Sequence, residues 1–195
     1  MNSLTVIAAS FVTPANIPAA RFGMRFGRLD LLSQLALSAV ELLQIDFTAF
    51  GRDRVGICVI VRAGSLSTDV EYWAGRDAPG GPSPMLFAYT LPSSAIGEIA
   101  IRHQLMGPNL CLIGGDALAE AKDWIVRGEA DACICVACDV ITPAAGTLIE
   151  EPAVAAARAL FLARADTGMH RLQENDRDMN LLCDKILSQK PARPI

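Results

Sequence analysis

The chemistry open to this chain rests on few residues. It has six cysteines and two histidines. Its most suggestive turn is Gly114-Gly115-Asp116, between a short apolar run and a helical pattern. A helix that opens at Gly115–Ala117 offers free N–H groups and a dipole to an anion. Two glycines before a helix also make a plain tight turn, with Asp116 as its N-cap. Cys111 is the thiol nearest this turn.

The other candidates read as structural. Cys58, Cys111, Cys133, Cys135 and Cys138 sit inside apolar runs, where reduced cysteine behaves as a small hydrophobe. The CxCxxC at 133–138 does not make a metal site: on a strand, Cys133 and Cys135 share one face and Cys138 takes the other. Cys183 reads as structural too. These thiols suit a reducing cytoplasm. His103 and His170 lie far in sequence from any nucleophile and read as surface or capping residues. Dinucleotide, P-loop and serine-elbow spacings are absent, and the residues call for no cofactor.

The stretch 107–140 would position the turn. Leu110–Ile113 is a strand closed by the glycines. Leu118, Ala121 and Ile125 recur at helical spacing, Gly128 ends the helix, and Ala132–Cys138 is a strand buried on both faces. Upstream, Leu4–Val12 is a first strand and Arg21–Arg28 a connecting loop. Asp30 caps an amphipathic helix bearing Leu31, Leu35, Ala39 and Leu42. VGICVIV (55–61) is a central strand ending at Ala63-Gly64-Ser65. Residues 66–84 read as a loop, Ser93-Ser94 as the cap of a helix containing Ile96 and Ile99, and 141–152 as a second loop. Residues 86–91 give no clear pattern. Of the run 153–165, Ala159–Arg164 is expected to be a strand. A charged tail from Asp166 carries a helix over 178–188 and a basic end over 190–195. Strands alternating with helices imply an α/β layered fold with a mainly parallel five-stranded sheet. Residues 1–165 read as one domain and 166–195 as its tail.

Composition bounds the rest. The 195 residues are 52% hydrophobic and 19% charged, with a net charge of −4 and a mean hydropathy of +0.34. No apolar run approaches the ~18 residues of a membrane helix. The start, MNSLTVIAASF, lacks the basic region of a signal peptide. Scattered basic residues give no nucleic-acid footprint. The excess of apolar residues points to a sheet covered on both faces or a surface buried against a partner.

Several segments together resemble one family. GRLDLLSQLALSAVE (Gly27–Glu41) is similar to the Arg-x-Asp…Gln-x-Ala-Leu-x-Ala helix of the β-ketoacyl synthases. Asp53-Arg54-Val55-Gly56, leading to Ala63-Gly64-Ser65, resembles their second strand and its end. Ser93–Gly97, Ile99 and Gly107-Pro108 resemble the approach to the nucleophile strand. Gly128-Glu129-Ala130-Asp131 matches the Gly-x-Ala-Asp turn before the next core strand. In order, over residues 4–165, they imply the N-terminal half of a thiolase-like fold.

The resemblance implies a cysteine at the start of the helix after the Gly-Pro strand, taking an acyl group from a carrier protein or coenzyme A. Two histidines of the C-terminal half would assist condensation. The helix dipole would stabilise the thiolate and backbone N–H groups the oxyanion. Here the nucleophile position falls on Asp116 in a shortened elbow, and a carboxylate there would repel an oxyanion. Three readings follow. One is a non-catalytic partner in fatty-acid or polyketide metabolism, like a chain-length factor or a carrier-protein-binding subunit. Another is a thioester enzyme using Cys111 or Asp116. The third is a structural dimerisation module. The family places the dimer contact on Asn109, Leu110, Cys111, Leu112 and Ile113, implying a homodimer or a heterodimer with a ketosynthase. Acyl carrier protein or acyl-coenzyme A is a further expected partner.

Overall fold

The computed structural model describes residues 4–165, 168–173 and 175–189. Six strands form one sheet: β1 (Leu4–Val12), β2 (Val55–Val61), β3 (Asn109–Ile113), β4 (Ala132–Ile141), β5 (Val154–Arg164) and β6 (His170–Arg171). Their spatial order is β3-β2-β4-β5-β1-β6. β2 pairs in parallel with β3 and β4, whereas β5 is antiparallel to both β4 and β1, and β6 to β1. The layered α/β fold is as expected. The sheet is mixed, however, and carries a two-residue sixth strand. β1 to β4 share one direction. The chain leaving β4 turns back beside it through a short helix, so β5 enters as an antiparallel neighbour on both sides.

Both faces are covered, as continuous apolar strands require. β4 alternates strictly. Ala132, Ile134, Val136 and Cys138 enter the core beneath α1 (Leu31–Leu42), while Cys133, Cys135 and Ala137 enter the opposite core. The expected split of Cys133 and Cys135 from Cys138 is therefore present. α1 starts where Asp30 accepts a 3.0 Å bond from the Ser33 amide, and Leu35, Ala36, Ala39 and Val40 are buried against the sheet.

Several connections differ from the sequence reading. Residues 66–84 contain α2 (Leu66–Ala74), and α3 (Pro84–Phe87) follows. The glycine and proline signals cluster at 75–82, after α2, whose buried residues are the polar Ser67 and Thr68. That gives α2 no apolar stripe to read. Ser93 makes no side-chain cap for α4 (Ser94–His103); the Ser94 hydroxyl instead donates to the Ala88 carbonyl at 2.8 Å. The second expected loop holds α6 (Pro143–Ile149), started by Thr142, whose hydroxyl accepts from the Ala145 amide at 3.3 Å. β5 begins at Val154, well before Ala159.

The tail helix is present as α7 (Met179–Ser188). Met179, Leu182, Cys183 and Ile186 are buried in one core with Val6, Ala9, Leu160 and Leu162. Arg158 of β5 fixes its outer side through two bonds to Asp184, at 2.8 and 3.0 Å. The tail thus covers one sheet face, sharing the core of residues 4–165. Asp166 and the basic end 190–195 lie outside the described residues. Among the described residues no helix is long and apolar enough to cross a membrane.

Candidate functional site

The elbow is built by three local features. Gly107 lets the chain enter β3 close to β2: a Cβ there would lie 2.2 Å from the Val55 carbonyl oxygen. Beyond β3, Gly114 and Gly115 turn with φ of 73° and 95°, conformations that a side chain disfavours. Asp116 then caps α5 (Ala117–Arg127): one carboxylate oxygen accepts from the Leu118 amide at 2.9 Å and the Ala119 amide at 3.1 Å. Gly128, at φ 75°, closes the helix. The expected strand, turn, helix and strand over 107–140 are all in place.

A cleft of about 320 Å³ opens at this turn, between Ile60 near the end of β2, Ala137 midway along β4 and the start of α7. Its lining is Ile60, Gly115, Asp116, Ala117, Ala137, Arg177, Asp178, Met179 and Asn180, without a thiol or a histidine. α7 is itself capped, since Asp178 accepts from the Asn180 and Leu181 amides at 2.9 and 3.1 Å.

The cysteines stand elsewhere. Cys111 lies mid-strand in β3, half-buried against the α1-side core, and burial pushes its thiol up. Burial pushes Cys58 and Cys133 up to about 12, and Cys135 and Cys138 well above the usual thiol value. Cys135 and Cys138 donate to the carbonyls of Ala117 and Leu32, each at 3.5 Å, and Cys183 to Ser10 at 3.3 Å. Among the described residues, no three His, Cys, Asp or Glu side chains are placed to hold a metal.

Neither histidine is the surface or capping residue expected. The His103 side chain is 16% exposed, with Nε2 4.0 Å from Glu41 and the ring edge-on to Phe47 at 5.1 Å. Burial holds its pKa below the ordinary value. His170 is in β6, its Nε2 2.8 Å from the Asp176 carboxylate. Neither lines the elbow cleft.

Among the described residues β3 is one edge of the sheet and pairs only with β2. Asn109 and Ile113 are exposed, with Leu110, Cys111 and Leu112 half-buried between them. Ile113, at 70% exposed, joins Leu66, Pro92 and Ile149 around an open cleft of about 490 Å³. Trp73, Phe87, Leu91 and Leu148, on or beside α2, α3 and α6, are also exposed. Sequence reasoning named the β3 part of this surface, Asn109–Ile113, and missed the part on and beside α2, α3 and α6. Large apolar residues inside segments otherwise polar enough to pass for loops were the signal for it.

A second surface is cationic. Residues 13–29 carry Arg21, Arg25 and Arg28 and no acidic residue. The Phe22 and Phe26 rings stack at 4.1 Å and support this loop against α4, whose Arg102 lies over Phe22 at 5.5 Å. The acidic partners are recessed: Glu98 beneath Arg25 and Glu41 beneath Arg102 are 13% and 18% exposed. Met24, 93% exposed, stands in the middle of the loop.

No family model matches the sequence, and no curated protein does. Solved structures do. The AntDE:AntF complex, a type II polyketide synthase (PKS) acyl-carrier protein with its ketosynthase bound to the hexaketide, matches with a TM-score of 0.70 at 17% identity. That match covers 84% of this chain and 63% of the other. The ishigamide ketosynthase/chain length factor gives 0.66 at 17% identity, over 86% and 64%. The ketosynthase ApeO in complex with its chain length factor ApeC from Xenorhabdus doucetiae gives 0.63 at 20% identity, over 85% and 80%. The chain thus spans less than two thirds of the first two. At these identities the likeness is one of architecture: the chain has a thiolase-like fold of the ketosynthase type.

Proposed function

We propose that this chain is a ketosynthase-like protein of polyketide or fatty-acid metabolism, acting as a non-catalytic partner of a condensing enzyme in the manner of a chain-length factor. The observation that carries this reading is the elbow. The fold that delivers a nucleophile to a helix tip is retained, but the tip holds Asp116, whose carboxylate occupies the amides of Leu118 and Ala119. Those amides are engaged, and a negative charge stands where a thioester oxyanion would need donors. Cys111, held mid-strand with a raised pKa, is poorly suited to replace it.

The β3 edge and the surface around Ile113 and Leu148 suit the partner. A bare edge strand offers unpaired backbone groups, and the exposed side chains beside it form the kind of apolar surface that protein association buries. The ketosynthase is assigned to this face. The arginine loop faces a different requirement: Arg21, Arg25 and Arg102, with their acids recessed, suit an acidic partner, and an acyl carrier protein is the occupant that this function calls for.

Co-expression with the ketosynthases and carrier proteins of the same genome tests the proposal. The expected result is a stable one-to-one complex with a ketosynthase, whose condensing activity depends on this chain. Arg21→Glu with Arg25→Glu should weaken carrier binding in a salt-dependent way and leave the ketosynthase complex intact. A stable monomer that binds no condensing enzyme would overturn the reading.

A further inference from the structure

We draw no further inference here: the strongest candidate, the cleft between the N-termini of α5 and α7 beside Gly115 and Arg177, rests on two helix ends whose amides Asp116 and Asp178 already occupy, and among the described residues no buried unpartnered side chain points into it.

Discussion

The Asp116 carboxylate accepts a hydrogen bond from the Leu118 amide at 2.9 Å. This contact decides what the elbow can do. The first turn of a helix leaves donors without internal partners, and in a catalytic elbow they face the substrate. Here the Asp116 carboxylate takes two of them, the Leu118 and Ala119 amides. The Gly114-Gly115 turn therefore starts a helix whose Leu118 and Ala119 amides are already engaged.

Replacing this cap should separate folding from chemistry. Asp116→Ala is expected to cost about 1 kcal/mol, the usual worth of an N-cap, read as a lower urea midpoint. Asp116→Cys should place a thiol at the positive end of α5, where it alkylates faster than any native cysteine. Equal rates for the new thiol and the native ones would show that the tip is not open to reagents.

The native thiols should be nearly inert. Cys58 and Cys133, raised to about 12 by burial, carry almost no thiolate at pH 8. Cys111, half-buried at the sheet edge, is the first expected to react. Iodoacetamide labelling read by mass spectrometry should give at most one slow adduct on the folded protein. Rapid labelling of several cysteines would contradict this packing.

The proposed partner face should tolerate charge without loss of fold. Ile113 and Leu148 are 70% and 67% exposed, so Ile113→Arg and Leu148→Arg should each shift stability by no more than about 0.5 kcal/mol. On the proposed pairing, the same substitutions should abolish co-purification with a ketosynthase. Unimpaired assembly of the double variant would move the interface elsewhere.

How much of this was legible in the sequence follows from what each element buries. β2, β4 and the helices after Asp30 and Asp116 were readable because apolar period and capping residue agree, as at Leu118, Ala121 and Ile125. α2 was hidden because the residues it buries, Ser67 and Thr68, are polar: the Ser67 hydroxyl donates to the Val140 carbonyl at 2.8 Å and accepts from the Thr142 amide at 2.9 Å. The direction of β5 depends on how α6 returns the chain, which an apolar run such as Ala159–Ala163 does not encode. The elbow was legible because glycines and Asp116 act locally. Of the apolar surface around Ile113 only the β3 part was named, through the family resemblance, since the rest lies on segments beside α2, α3 and α6, far apart in sequence.

His103 should make the protein acid-sensitive. Burial lowers its folded-state pKa, while Glu41 opposes and Arg102 reinforces the shift. The unfolded chain therefore binds the proton first as pH falls. This contribution is complete above the unfolded value of about 6.5 and is lost as pH drops through the lower folded value. His103→Leu should flatten the stability curve between pH 7 and 5 in urea titrations. An unchanged slope would mean that the site admits water on protonation.

Last, α7 should behave as a removable layer. It rests on Met179, Leu182, Cys183 and Ile186, and a ten-residue helix has little stability of its own. Leu182→Ala removes the contacts of one fully packed leucine, a loss of about 2 kcal/mol or more. Because α7 packs on one face of the sheet and pairs with no strand, that loss is expected to open α7 before the sheet. Amide exchange should then accelerate across Met179–Ser188 while β2 and β4, each flanked by strands on both sides, keep their protection. Uniform acceleration over the whole molecule would show instead that α7 and the sheet unfold as one unit, which would make the tail integral to the fold's cooperativity.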